Sequence, residues 1–233
     1  MPKRLNESGL KNGRPYCFSA IILAGGKSER IGSDKAFLRM GRSTFLSIIA
    51  EEMLLVSSDV ITVVGRKKLE PFAKEVRDSR VRFAKDSHYI GNPLGGMLTG
   101  LELATNEYAA VVACDLPLVR NNVISRLFEE AKGHDAAVPI WDTKDKLSIE
   151  PLCAVYNVQR MKRAINDSLG KGISGCKLVV RSLPDVRYVP VSELKEYDRD
   201  LDFLNNINTT KDYLELLKKR TLPILSHRAI QRN

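Results

Sequence analysis

Leu23-Ala24-Gly25-Gly26-Lys27-Ser28-Glu29-Arg30-Ile31-Gly32-Ser33-Asp34-Lys35 gathers residue types suited to holding a chain of phosphates. Paired glycines let backbone N–H groups approach phosphate oxygens with no side chain in the way. Arg30 and Lys35 add two cations on the same loop, and a triphosphate needs both kinds of donor. Two common phosphate motifs do not account for the stretch. The dinucleotide fingerprint GxGxxG is absent, and Gly26-Lys27-Ser28 ends like a Walker A loop but has Ile21 where that motif requires glycine. A P-loop kinase or GTPase is therefore disfavoured.

A second chemical signal is Asp115, in Ala113-Cys114-Asp115-Leu116-Pro117. A carboxylate at the exposed end of a buried strand suits Mg2+, which takes hard oxygen ligands. An aspartate that only starts a turn is the competing reading. Asp86-Ser87 followed by Asn92-Pro93-Leu94-Gly95-Gly96 is glycine-rich loop chemistry, with Asp86 as a hydrogen-bond acceptor; a purely structural turn is the alternative there.

These residues need a scaffold that delivers them to one place. Phe18 to Leu23, Val60 to Val64 and Ala109 to Ala113 are short runs of apolar residues, closed by glycine or polar residues, and read as strands, the first and last of them buried; Val81 to Ala84 reads as another strand. Between them Thr44 to Val56, Pro71 to Val76 and Met97 to Ala104 read as helices, the first capped by Ser43 or Thr44. Asn121 or Asn122 caps a further helix to about Lys132. The second half is less regular, with strands at Ala136–Ile140, Leu152–Tyr156 and Val186–Val191 and helices at Val158–Leu169 and Thr210–Lys219. Strand and helix alternating at such intervals predict an α/β fold, a mostly parallel sheet with helices on both faces. Ligands in such sheets lie beyond the carboxyl ends of the strands, so the segments after Leu23, near Asp86 and at Asp115 are expected to meet at one site.

The pattern L-A-G-G-x-x-x-R-I-G-x-D-K resembles the opening loop of the molybdenum cofactor guanylyltransferases and, more distantly, that of nucleotidyltransferases that activate sugars and sugar alcohols. Cys114-Asp115-Leu116-Pro117 resembles the family's magnesium turn. Asp86 to Gly96 resembles its E-D…G-P-L-x-G segment, with Lys85 in place of an acidic residue and Asn92 in place of glycine. Phe203-Leu204-Asn205-Asn206-Ile207-Asn208-Thr209 resembles its F-x-N-(I/V)-N-T segment with one residue inserted. Glu150 to Tyr156 resembles its P-L-x-A strand, near which the acceptor is expected. The resemblance spans about Phe18 to Leu217 and implies a Rossmann-like, nucleotide-diphospho-sugar transferase architecture.

The function it implies is transfer of GMP from GTP to the terminal phosphate of molybdopterin, dependent on Mg2+, with release of pyrophosphate. Arg30, Lys35 and Asp115 are the implied catalytic residues. Leu23, Ala24, Gly25, Gly26, Lys35, Asp86, Leu94, Gly96 and Asp115 are implied to hold the nucleotide. Asp115 and Asn208 are the candidate metal ligands, and a helix N-cap is the competing role for Asn208 or Thr209. Rival readings on the same scaffold are a molybdopterin cytidylyltransferase and a guanylyltransferase acting on a compound such as phospholactate. A nucleotide-binding regulator without catalysis is a rival of another class.

Composition sets the remaining bounds. The chain has 233 residues, 43% apolar and 28% charged, which fits an ordinary globular protein. The expected division is a basic leader at 1–16, one nucleotidyltransferase domain at 17–220 and a tail at 221–233, a frayed end or a docking point for a molybdoenzyme or cofactor-inserting partner. Cys17, Cys114, Cys153 and Cys176 have no metal-ligand spacing. The net charge of +9 fits a polyanionic small molecule, and no RNA-binding signature or zinc-finger spacing points to nucleic acid. No run approaches the ~20 apolar residues of a membrane span, and a cytoplasmic enzyme is expected.

Overall fold

The structure, a computed structural model, describes residues 10–11, 14–15, 18–25, 34–88, 90–143 and 146–229, with side chains for 18–25, 34–88, 90–141 and 148–219. Its centre is β1 (Ser19–Leu23), flanked by β2 (Asp59–Val64) and β4 (Tyr108–Ala113), with β3 (Val81–Lys85) outside β2. Every residue of β1, β2 and β4 is buried, Ser19, Asp59 and Thr62 included, as in strands covered on both faces. These four strands are parallel, in the order β3-β2-β1-β4.

The sheet continues with antiparallel β7 (Cys153–Asn157) beside β4, then β5 (Ala136–Thr143). β6 (Lys146–Ile149) folds back on the far part of β5, and β8 (Val186–Pro190) runs parallel to β5 on its other edge.

Alternate side chains of the strands feed two cores. Ala20 and Ile22 meet α1 (Phe45–Leu54), α2 (Glu70–Glu75) and α4 (Asn121–Ala131) through Leu46, Ile49, Phe72, Val123 and Leu127. Ile21 and Leu23 meet α3 (Pro93–Leu103), α5 (Val158–Gly170) and α6 (Cys176–Arg181) through Met97, Leu101, Met161 and Val180. A Cβ on Gly100 would lie 2.4 Å from Ile21 Cγ2, so that glycine sets how closely α3 lies on β1. The chain path places α1 and α2 on one face and α3 on the other. The winding therefore reverses between β1 and β4, which opens a crevice at their carboxyl ends.

Several local readings need correction. Asn92-Pro93-Leu94-Gly95-Gly96 is not loop throughout: α3 begins at Pro93, with Asn92 as its N-cap accepting from Leu94 N–H at 2.8 Å. Proline at the first helical position loses nothing, because its missing N–H would have been unpaired anyway. Neither Asn121 nor Asn122 is the N-cap of α4; Arg120 holds that position, and Glu52 of α1 accepts the Asn121 N–H at 2.7 Å. A carboxylate from a neighbouring helix replaces the local cap. Thr44 does cap α1, in a reciprocal box with Ser47. α7 (Val191–Leu194), α6 and β6 carried too few periodic residues to be read in advance. α8 runs Thr210–Ala229, past Lys219, where the sequence pattern places its end.

Candidate active site

Register explains how the site residues meet. Leu23 pairs with Val63 on one side and Ala113 on the other, and Val63 pairs with Ala84. Gly25, Gly65, Asp86 and Asp115 each stand two positions beyond that row, so four strands deliver them at one level. Together with Leu23, Lys35, Gly96 and Leu152 they line a cleft of about 310 Å³.

Gly25 and Gly65 interlock at its floor. A Cβ on Gly25 would sit 2.7 Å from Gly65 N, and one on Gly65 would sit 3.1 Å from Gly25 O. Both positions must stay small for the β1 and β2 loops to lie side by side. The sequence marks Gly65 only as the end of a strand; the signal for its place in the cleft is that it follows a buried strand as Gly25 does.

Lys35 opens a short 3-10 turn, Lys35–Phe37, capped by Asp34. Its ammonium donates to Asp115 Oδ2 at 3.0 Å and to Asn208 Oδ1 at 2.7 Å. Asn208 arrives because Ile207 N–H donates to the Asp115 carbonyl at 2.9 Å while the Ile207 side chain packs on Phe45 and Leu216. The cap of α8 is formed by Thr209 instead: its Oγ1 accepts Asp212 N–H at 3.1 Å, and Asp212 Oδ2 accepts the N–H groups of Asn208 and Thr209. Those bonds hold the Asp212 carboxyl below its ordinary pKa, the Asn208 contact contributing most. They leave the Asn208 side chain to meet Lys35, although Asn208 itself does not line the cleft.

The oxygen chemistry suits magnesium. Asp115 Oδ1 is buried and has no hydrogen-bond partner among the described residues, so its lone pairs remain for a cation. No group of three or more His, Cys, Asp or Glu side chains is clustered for a metal among those residues. Mg2+ commonly takes only one or two carboxylates and completes its shell with substrate phosphates and water.

Asp86 is tied into the fold as well as lining the cleft. Its Oδ1 accepts His88 N–H at 2.9 Å and Thr99 Oγ1–H at 3.1 Å, so any contact to a nucleotide falls to Oδ2. Leu94 and Ala24 are fully buried in the two cores and do not line the cleft. Gly26 and Arg30 lie outside the described residues. Asn92 and Leu152 line the cleft without having been singled out for it. Cys114 also borders it, but burial first, then the Asp115 and Asp34 carboxylates, push its thiol up to about 12. It is a packing residue and not a nucleophile. No helix among the described residues is long and apolar enough to cross a membrane.

Comparison with known proteins adds to this geometry. The MobA-like NTP transferase domain matches residues 20–186. A probable molybdenum cofactor guanylyltransferase of Methanosarcina mazei is 37% identical over 199 residues, covering 83% of this chain and 87% of that protein. One from Clostridium perfringens is 29% identical over 219 residues, covering 88% and 98%. Among solved structures, molybdopterin-guanine dinucleotide biosynthesis protein A from Archaeoglobus fulgidus superposes with a TM-score of 0.73 at 24% identity, covering 87% of this chain and 98% of that one. The 2-C-methyl-D-erythritol 4-phosphate cytidylyltransferase of Thermus thermophilus gives 0.64 at 15%, covering 86% and 97%. These last two share the fold.

Proposed function

The chain is a nucleotidyltransferase that belongs to the MobA-like NTP transferase family, and from that premise we propose that it transfers GMP from GTP to the terminal phosphate of molybdopterin. The products are the guanine dinucleotide form of the cofactor and pyrophosphate. The observation that carries the chemistry is the Lys35–Asp115 pair, 3.0 Å apart at the mouth of a cleft built at the strand ends. The names of the sequence relatives support the base and the acceptor.

In this reading the Gly25–Gly65 floor admits the nucleotide, and Lys35 meets its phosphates. Asp115, with Asn208 beside it, would hold Mg2+, which when bound would neutralise charge on the phosphates and on the departing pyrophosphate. The acceptor phosphate is already an anionic nucleophile at neutral pH, so no general base is needed. It attacks the α-phosphorus in line, and the bond to the β-phosphate oxygen breaks. The protein's task is to hold two polyanions in contact, which is a matter of position and charge.

Phosphate-handling residues do not choose the base, and the cytidylyl alternative is separated by competition. With Mg2+ present, unlabelled GTP is expected to displace a fluorescent GTP analogue at concentrations at least about tenfold lower than CTP or ATP, a discrimination of the size that one or two base-edge hydrogen bonds supply. Displacement by CTP at the lowest concentration would move the activity to cytidylyl transfer on the same scaffold.

A further inference from the structure

The turn that presents Lys35 is fastened from behind by the segment that follows β2. Asp34 Oδ1 accepts Ala36 N–H at 3.3 Å, and Asp34 Oδ2 accepts from Lys67 Nζ at 2.6 Å. At the other end of the turn, the Phe37 ring packs on Phe72 of α2, centroids 4.8 Å apart. Lys67 and Phe72 thus grip both ends of a three-residue turn, while Lys35 between them crosses to Asp115. Lys67 is two residues beyond Gly65, so the loop that forms the cleft floor also supplies the anchor.

The Asp34–Lys67 pair is a poor device for global stability. The Lys67 side chain is 40% exposed and that of Asp34 15%, and an ion pair with one partner open to solvent contributes little to folding. Its effect falls instead where geometry is least tolerant. A short turn has few hydrogen bonds of its own, and a displacement of the reacting groups by about 1 Å can cost up to about 10²-fold in rate. Lys67 also offsets the negative charge of Asp34 next to the lysine that must face a triphosphate.

We propose that Lys67 is a positioning residue for the transfer step: by holding Asp34 it fixes the turn from which Lys35 reaches the phosphates. This rests on the assignment of Lys35 to the nucleotide made above. Among the described residues Lys35 and Gly65 line the cleft and Lys67 does not, and the route assigned to Lys67 is through Asp34 to Lys35.

The test is a double-mutant cycle in the full chain, with GTP, molybdopterin and Mg2+. Lys67→Met is expected to lower kcat about tenfold and to leave KM for GTP within about twofold, the signature of lost transition-state interaction. Lys67→Arg should restore most of the rate. Asp34→Asn, which keeps the capping oxygen and loses the charge, should reproduce the loss and decides the question if Lys67→Met folds poorly. Combined with Lys35→Ala, Lys67→Met should have no further effect, because groups acting as a unit are not additive. An unchanged kcat in Lys67→Met, a defect confined to KM, or full multiplication with the Lys35→Ala defect would each overturn the proposal. Full activity of Lys35→Ala alone would instead remove the reading of Lys35 on which it rests.

Discussion

Asp115→Asn is expected to fold, to bind GTP and to lose roughly 10³-fold in turnover, the scale on which preorganised charge and metal-holding groups act in phosphoryl transfer. The substitution keeps the shape of the side chain and removes its charge. To go on accepting from Lys35 at 3.0 Å, the asparagine must turn its oxygen toward Nζ. Its NH2 group then occupies the place of the buried Oδ1, which has no partner among the described residues. An unpaired buried donor costs about 1–3 kcal/mol, so a modest fall in thermal stability should accompany the much larger loss of rate. Measuring kcat beside the melting temperature separates the two. A variant retaining a tenth of the wild-type rate would remove Asp115 from the chemistry.

Lys35→Ala is expected to be the next most damaging change, about 10²- to 10³-fold slower by comparison with other cationic groups that stabilise a transition state. The lysine side chain is 15% exposed and Asp115 21%, so removing one partner of this largely enclosed pair costs on the order of 1–3 kcal/mol, a loss of stability that should still leave the variant folded. The loss should fall mainly on kcat, because the ammonium matters most where charge builds on the departing pyrophosphate. Circular dichroism with steady-state kinetics provides the check: a folded protein with near-normal turnover would contradict the role given to Lys35.

The parallel half of the fold could be read from residue type because three of its four strands are short, mainly apolar runs ended by glycine or a polar residue. β1, β2 and β4 are buried along their whole length, and nothing local competes with that signal. The convergence of Gly25, Asp86 and Asp115 followed from the same pattern, since in-register parallel strands deliver their ends to one level. What residue types alone leave open depends on partners, several of them far away in the chain. Asn208 reaches Lys35 across 173 positions, and whether it or Thr209 capped α8 turned on Asp212, which takes both backbone N–H groups. Lys67 stands between Arg66 and Lys68, and only the fold sets it against Asp34. The α4 cap was missed for a related reason, because Glu52 on another helix replaces it. Leu94, placed with the nucleotide by its position in the motif, is buried in the core because α3 begins one residue earlier.

The most direct measurement is product formation by the purified full-length protein with Mg2+ and molybdopterin, offered GTP, CTP or ATP in parallel. Pyrophosphate and the dinucleotide product would be quantified together, the latter by mass. Guanylyl transfer predicts equimolar pyrophosphate and guanine dinucleotide with GTP, and neither product at a comparable rate with CTP or ATP. Pyrophosphate with CTP but not GTP, or tight GTP binding with no release in the presence of molybdopterin, would contradict it.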